Sequence, residues 1–203
     1  MSVDALKIGV LALQGDFIEH IHMLRKLGVE AVEVRKASEL DGLDGLIIPG
    51  GESTTIRKLI DLFGFVSGLQ ALADSGTALW GTCAGMIVIA RELTDPYPEP
   101  LGLIDIKVSR NWFGRQVDSF EGEFAFKGIE GGPFLAVFIR APVVESVGDG
   151  VEVLARLEEG GKPVAVRSGN ILATAFHPEL TEDTRVHEYF VSMARESAAA
   201  RSR

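Results

Sequence analysis

Cysteine is nearly absent from this sequence: Cys83 is the only one in 203 residues. A single thiol cannot close an internal disulfide or build a multi-cysteine zinc centre, so neither holds the fold together. Long apolar runs are missing as well. Ile8 to Leu13 is too short for the core of a secretion signal. No run elsewhere reaches the roughly 18 apolar residues of a membrane-spanning helix. These absences predict a cytoplasmic protein with no membrane partner. Positive charge is also in short supply, since 20 Lys and Arg against 29 Asp and Glu leave a formal charge of −9. Such a surface repels phosphate backbones and argues against a nucleic-acid partner. The rest is ordinary for a globular chain, 46% hydrophobic and 24% charged. Its length predicts one domain over residues 1–197. The tail, 198–203, has little to bury and is expected to fray. There is no internal repeat and no linker that would separate two domains.

The first half alternates strand and helix. Ile8 to Leu13 reads as a strand buried on both faces, ending at Gln14-Gly15. Asp16 is the expected N-cap of a helix carrying Phe17, Ile21, Leu24 and Leu27 at helical spacing, and Gly28 ends it. Val32 and Val34 mark a second strand. Leu46 to Ile48 form a third, stopped by Pro49-Gly50-Gly51. Ser53 is the expected cap of the next helix, with a short one around Leu69 to Ala73. Thr77 to Thr82 predict a fourth strand and Ala84 to Glu92 a helix. This rhythm implies a parallel sheet with helices on both faces. After the breaker cluster Asp95 to Pro100 the pattern turns strand-rich. Strands are expected at Ile104–Val108, Phe120–Phe126, Leu135–Arg140, Val151–Leu157, Pro163–Arg167 and Ile171–Phe176. A last helix starts near Thr184, with Val186, Phe190 and Met193 on one face.

Three motifs carry chemistry. Gly81-Thr82-Cys83-Ala84-Gly85 lies between a predicted strand and a predicted helix. It has the layout of the G-x-S-x-G elbow with Cys for Ser, which exposes a nucleophile at the end of a sheet. The following helix points its N–H groups at the sulfur and favours the reactive thiolate, with Ala84 N–H placed as an oxyanion donor. Phe176-His177-Pro178-Glu179 closes another strand. Residues i and i+2 of extended chain share a side, so Glu179 can orient His177 as a base for the thiol. Pro49-Gly50-Gly51-Glu52-Ser53-Thr54-Thr55 ends the third strand, and its glycines let backbone approach a ligand and supply a second oxyanion donor. The phosphate-loop pattern G-x-x-x-x-G-K-[ST] is absent. All three motifs end strands, the edge where open α/β sheets bind ligands. His20 and His22 do not share a helix face, and His187 is expected in solvent, so the ligand count argues against a metal site.

With these motifs the chain resembles the class I (triad) glutamine amidotransferases. Within them it is similar to the glutaminase subunits of pyridoxal 5′-phosphate synthase. Besides the three motifs, the likeness rests on Leu13-Gln14-Gly15 with Glu19-His20-Ile21, Arg110-Asn111 with Phe113 to Glu121, Phe138 to Pro142, and Leu180-Thr181 after Glu179. It implies a flavodoxin-like, three-layer α/β fold with a mixed, mostly parallel central sheet. It implies Cys83 as nucleophile, His177 as general base and acid, and Glu179 as orienting carboxylate, acting on L-glutamine through a thioester. Gly51 and Ala84 would hold the oxyanion. Gly51, Glu52, Ser53, Arg110, Ile139 and Arg140 would bind glutamine; taken alone, the two arginines read as solvated surface residues. The resemblance also implies a partner, a (β/α)₈-barrel synthase subunit that receives the ammonia. The glutaminase is expected to be weak alone and activated on docking, with a mobile Gly50-Gly51 peptide as gate, since binding energy can complete an oxyanion hole. No cofactor is implied. The rival readings are another cysteine hydrolase of the same fold and a catalytically silent docking module.

Overall fold

The apolar runs assigned to buried strands form the middle of one sheet. In the computed structural model, which describes residues 6–110, 119–157 and 161–202, β1 (Lys7–Leu11), β2 (Glu30–Val34), β3 (Gly45–Ile48) and β4 (Ala78–Thr82) pair in parallel. The distant β12 (Ile171–Thr174) joins β4, also parallel. Every residue of β3, β4 and β12 is buried, which requires cover on both faces. Beyond β12, β11 (Pro163–Ser168) and β10 (Glu152–Arg156) are added by antiparallel pairing. The result is a seven-stranded sheet of order β10-β11-β12-β4-β3-β1-β2, the mixed and mostly parallel α/β arrangement expected.

The helices are α1 (Phe17–Lys26), α2 (Ser53–Leu62), α3 (Val66–Asp74), α4 (Ala84–Ile89) and α5 (Arg185–Arg201). Adjacent strand residues point to opposite faces, and β4 shows what lies on each. Trp80 packs against His20 of α1 and against His187 and Phe190 of α5. Beside it, a Cβ on Gly81 would lie 2.6 Å from the Gly85 backbone and 2.8 Å from the Ile89 side chain, both in α4. Helices α1 and α5 therefore cover one face and α4 the other, giving three layers.

Two smaller β units finish the chain. β5 (Ala90–Leu93), β6 (Ile104–Ser109) and β9 (Val143–Val147) form one sheet, and β7 (Ser119–Phe124) with β8 (Phe134–Ile139) form a hairpin. Phe138 of β8 stacks on Phe120 at 4.5 Å and meets Phe176 at 5.7 Å, which fastens the hairpin over the end of β12.

Four expectations need correction. The helix after Cys83 stops at Ile89 instead of reaching Glu92, because the next residues find partners in β6, with Ala90 opposite Ile104 and Glu92 opposite Lys107. Strand β9 was not anticipated; it pairs with β6 directly after Pro142. The tail is helical through Arg201: alanines 198–200 favour helix, and Arg201 donates to Thr77 Oγ1 at 2.7 Å and lies 3.5 Å from Asp44. His187 is wholly buried. Of the stretch from Arg110 to Glu121, residues 111–118 lie outside the described residues.

Candidate active site

Cys83 follows β4 directly and has φ +48° and ψ −104°, a conformation L-residues rarely adopt. Its N–H donates to Thr174 O at 2.8 Å, so the end of β12 holds the turn. α4 starts at the next residue. A Cβ on Gly85 would lie 2.0 Å from Ile48 O, so glycine there lets α4 press onto the end of β3. The sulfur is left at the carboxyl edge of the sheet, 3.8 Å from Ile139 O.

His177 and Glu179 meet, though not in extended chain. Residues Pro178–Leu180 form a 3₁₀ turn with His177 at its N-cap position. Proline's fixed φ suits the first position of such a turn. The turn sets His177 Nδ1 2.7 Å from Glu179 Oε1, with both residues buried. Burial pushes the imidazole towards neutrality; contact with the Cys83 side chain and the Glu179 carboxylate outweighs it and raises His177 to about 10. Burial also raises Glu179, and the His177 hydrogen bond opposes that rise.

The glycine loop closes over this pair. A Cβ on Gly50 would lie 2.4 Å from His177 Cε1 and 3.4 Å from Cys83 Cβ, so only a bare α-carbon fits. Two hydrogen bonds tie the loop to the end of β1: Asp16 N–H donates to Gly50 O at 3.0 Å, and Glu52 N–H donates to Gln14 Oε1 at 2.8 Å. Because the Gly50–Gly51 peptide is planar, the Gly51 N–H points away from Asp16. Glu52, not Ser53, caps α2; its carboxylate accepts from Thr54 N–H at 3.1 Å and Thr55 N–H at 2.7 Å. Partial burial opposes ionisation of Glu52, but hydrogen bonds from Thr55 and Thr54 hold it below the usual range. Ser53 becomes the first helical residue and is buried. Asp16 makes no cap bond on α1. Its carboxylate turns to the site instead, 3.6 Å from His177 Nδ1, where burial raises it and His177 partly offsets the rise.

Of the remaining residues of the expected glutamine site, Arg110 meets the glycine loop and Ile139 meets Cys83. Arg110 donates to Tyr97 O at 2.5 Å and lies 3.9 Å from Glu52 Oε1, beside the glycine loop. Its buried Nε has no hydrogen-bond partner among the described residues. Ile139 turns its carbonyl to the sulfur, and the exposed Arg140 has φ +44°.

A sequence model of the SNO glutamine amidotransferase family matches residues 10–196. The chain belongs to that family. It is 60% identical over 192 residues to the pyridoxal 5′-phosphate synthase subunit PdxT of Dehalococcoides mccartyi, covering 94% of this chain and 98% of the relative. Against the PdxT of Thermus thermophilus it is 56% identical over 190 residues, covering 92% and 97%. A crystal structure described as a glutamine amidotransferase superposes with TM-score 0.87 at 53% identity, over 93% of this chain and 98% of the other. A more distant crystal structure, that of a putative GMP synthase subunit from Thermoplasma acidophilum, shares the fold at TM-score 0.71 and 20% identity, over 98% of each chain.

In this glutamine amidotransferase two buried histidines, neither among the expected site residues, sit behind the site. His20 Nδ1 lies 2.9 Å from His187 Nε2, and His20 Nε2 lies 3.1 Å from Thr82 Oγ1. Among the described residues Asp16, His177 and Glu179 also bring ligand-type atoms within 4.8 Å of one another. His177 Nδ1 is already bonded to Glu179, so a metal there would have to displace that bond. No helix among the described residues is long and apolar enough to cross a membrane.

Proposed function

We propose that this glutamine amidotransferase, the glutaminase subunit of pyridoxal 5′-phosphate synthase, works through Cys83, His177 and Glu179. The observation that carries this reading is the cysteine in a strained strand–helix turn with a carboxylate-held imidazole against it. The Cys83 thiolate attacks the side-chain amide carbon of L-glutamine, and the carbonyl electrons move onto oxygen. Ala84 N–H, in the first turn of α4 and so outside the intrahelical ladder, and Gly51 N–H stabilise that oxyanion. The protonated His177 gives its proton to the departing amine, which leaves as ammonia and a γ-glutamyl thioester. The neutral imidazole then takes a proton from water, whose oxygen attacks the thioester. L-Glutamate is released and the thiolate returns. Arg110 and Arg140 supply cations for the glutamine carboxylate, and acidic or carbonyl groups around Glu52 receive its ammonium.

The ammonia passes to a synthase subunit, a (β/α)₈ barrel, and docking of that subunit completes the oxyanion hole at Gly50-Gly51. The test is release of ammonia and glutamate from glutamine, by the chain alone and with the synthase subunit. Release that rises with the partner and vanishes in Cys83→Ala is expected. Equal rates with and without the partner overturn the docking step, and turnover in Cys83→Ala overturns the nucleophile.

A further inference from the structure

His177 uses only one oxygen of Glu179. The other, Oε2, is buried and has no hydrogen-bond partner at ordinary length among the described residues. Facing it at 3.5 Å is His20 Nε2, with both side chains fully buried. Whether that nitrogen carries a proton is decided one step further back. If His20 Nδ1 were the donor to His187 Nε2, the His187 proton would sit on Nδ1, which is buried with no partner among the described residues. An orphaned buried N–H is rarer and costlier than an orphaned lone pair. That arrangement would also turn the His20 Nε2 lone pair towards a carboxylate. The opposite arrangement removes both faults: His187 Nε2–H donates to His20 Nδ1, and His20 Nε2–H is shared between Thr82 Oγ1 and Glu179 Oε2. Burial holds His187 at about 3. Burial first, then His187 and His177, keep His20 well below its usual value, so both rings are neutral. Trp80 packs edge-on against both rings, 5.5 Å from His20 and 5.0 Å from His187, and fixes their planes.

We propose that His20, locked in one tautomer by His187, is a positioning residue that presents its Nε2–H to the second oxygen of Glu179 and so steadies the carboxylate behind His177. The inference rests on the triad reading above. It ties α1, α5 and the end of β4 to the catalytic carboxylate, and it gives the buried imidazole pair a role that core packing does not require.

The test is glutaminase turnover of the chain with its synthase subunit, measured against pH. His20→Leu fills the space without the donor. The expected result is a kcat lower by about tenfold with little change in KM. The acid limb of the profile should move up by about one pH unit, because the ionised carboxylate loses the N–H that faces it at 3.5 Å. His20→Gln, whose amide N–H reaches near the position of Nε2, should restore most of both. His187→Phe leaves His20 in place but frees its tautomer, and should shift both in the same direction by less. The rate of Cys83 alkylation against pH gives the same comparison without substrate or partner. A His20→Leu protein with wild-type kcat and pH profile overturns the proposal. So does a loss that His20→Gln fails to repair while it tracks melting temperature, since packing alone explains that. If His20→Leu does not fold, His187→Phe decides the question by the same two shifts, read against a His20→Gln protein expected near wild type. Glu179→Gln measured alongside separates the two levels. Full activity there sinks the triad reading itself, whereas its loss beside a normal His20→Leu sinks only the role of His20.

Discussion

Gly50→Ala adds one methyl group, and the structure says where it goes. The new carbon would lie 2.4 Å from His177 Cε1, 3.0 Å from Nδ1 and 3.4 Å from Cys83 Cβ. One of the two sides must retreat by about 1 Å to reach ordinary contact. In the conformation seen here the loop is the more firmly held of the two. Gly50 O rests on Gly15, where a Cβ would lie only 1.8 Å away, and it accepts from Asp16 N–H at 3.0 Å. Glu52 N–H is held by Gln14 on the far side of the double glycine. The imidazole must therefore give way, leaving its line to the sulfur and stretching the 2.7 Å bond to Glu179. A displacement of about 1 Å in a reacting group costs roughly 100-fold. The assay is steady-state glutamine hydrolysis by the chain with its synthase subunit, together with a thermal melt. Expected are a kcat down by about 100-fold and a nearly unchanged melting temperature. Wild-type kcat would refute the reasoning. A collapsed melting temperature would refute it too, by showing that the strain goes into the loop and not the ring.

Three further outcomes follow from the same geometry. Cys83→Ala and Cys83→Gly should both be inactive, yet the glycine variant should be more stable by about 1 kcal/mol, since only glycine relieves φ +48°; equal denaturant midpoints would show that the elbow stores no strain. Burial holds His187 at about 3 in the folded chain. A depressed histidine contributes stability that is present above pH 6.5 and lost as pH falls towards 3, so unfolding free energy should drop by about 2 kcal/mol between pH 6.5 and 5. Urea unfolding should show a shallower acid slope in His187→Phe, and an unchanged slope would remove His187 from the account. The sign reverses for His177, raised to about 10: its contribution is full below pH 6.5 and fades as pH climbs through 10, and His177→Gln should lack that alkaline slope in the same measurement.

The parallel half of the fold was readable because its constraints are local. A strand buried on both faces cannot alternate, so Ile8 to Leu13 and Leu46-Ile47-Ile48 announce themselves as unbroken apolar segments. The breakers that follow them mark the sheet edge where the site forms. The errors fall where a partner strand decides. Nothing in Ala90-Arg91-Glu92-Leu93 distinguishes a last helical turn from a short strand until β6 arrives to accept its hydrogen bonds. The starts of α1 and α2 fall at or within one residue of the expected caps, but the capping side chains differ, for a related reason. Asp16 and Ser53 are both good caps by residue type, but Glu52 reaches the first turn of α2 ahead of Ser53. The Asp16 carboxylate faces the His177 imidazole instead.

The same division runs through the site. The elbow glycines and the His-x-Glu pair were legible because close approach and short separation leave few alternatives, although a 3₁₀ turn at Pro178, not extended chain, brings the pair together. Weighing His20 and His22 as a metal pair and placing His187 in solvent passes over both buried histidines, although the pattern holds a plainer signal. His20 lies three residues after Phe17 and four before Leu24; His187 lies three before Phe190 and four before Val191. Those spacings put each histidine on the apolar stripe of its helix. A histidine on that stripe enters the core neutral and must find a hydrogen-bond partner there. What periodicity cannot supply is the identity of that partner, because it depends on α1 and α5 crossing the same face of β4. The sequence thus contained the demand for a buried polar contact behind His177 and Glu179, and only the packing of two distant helices reveals that each histidine answers the other.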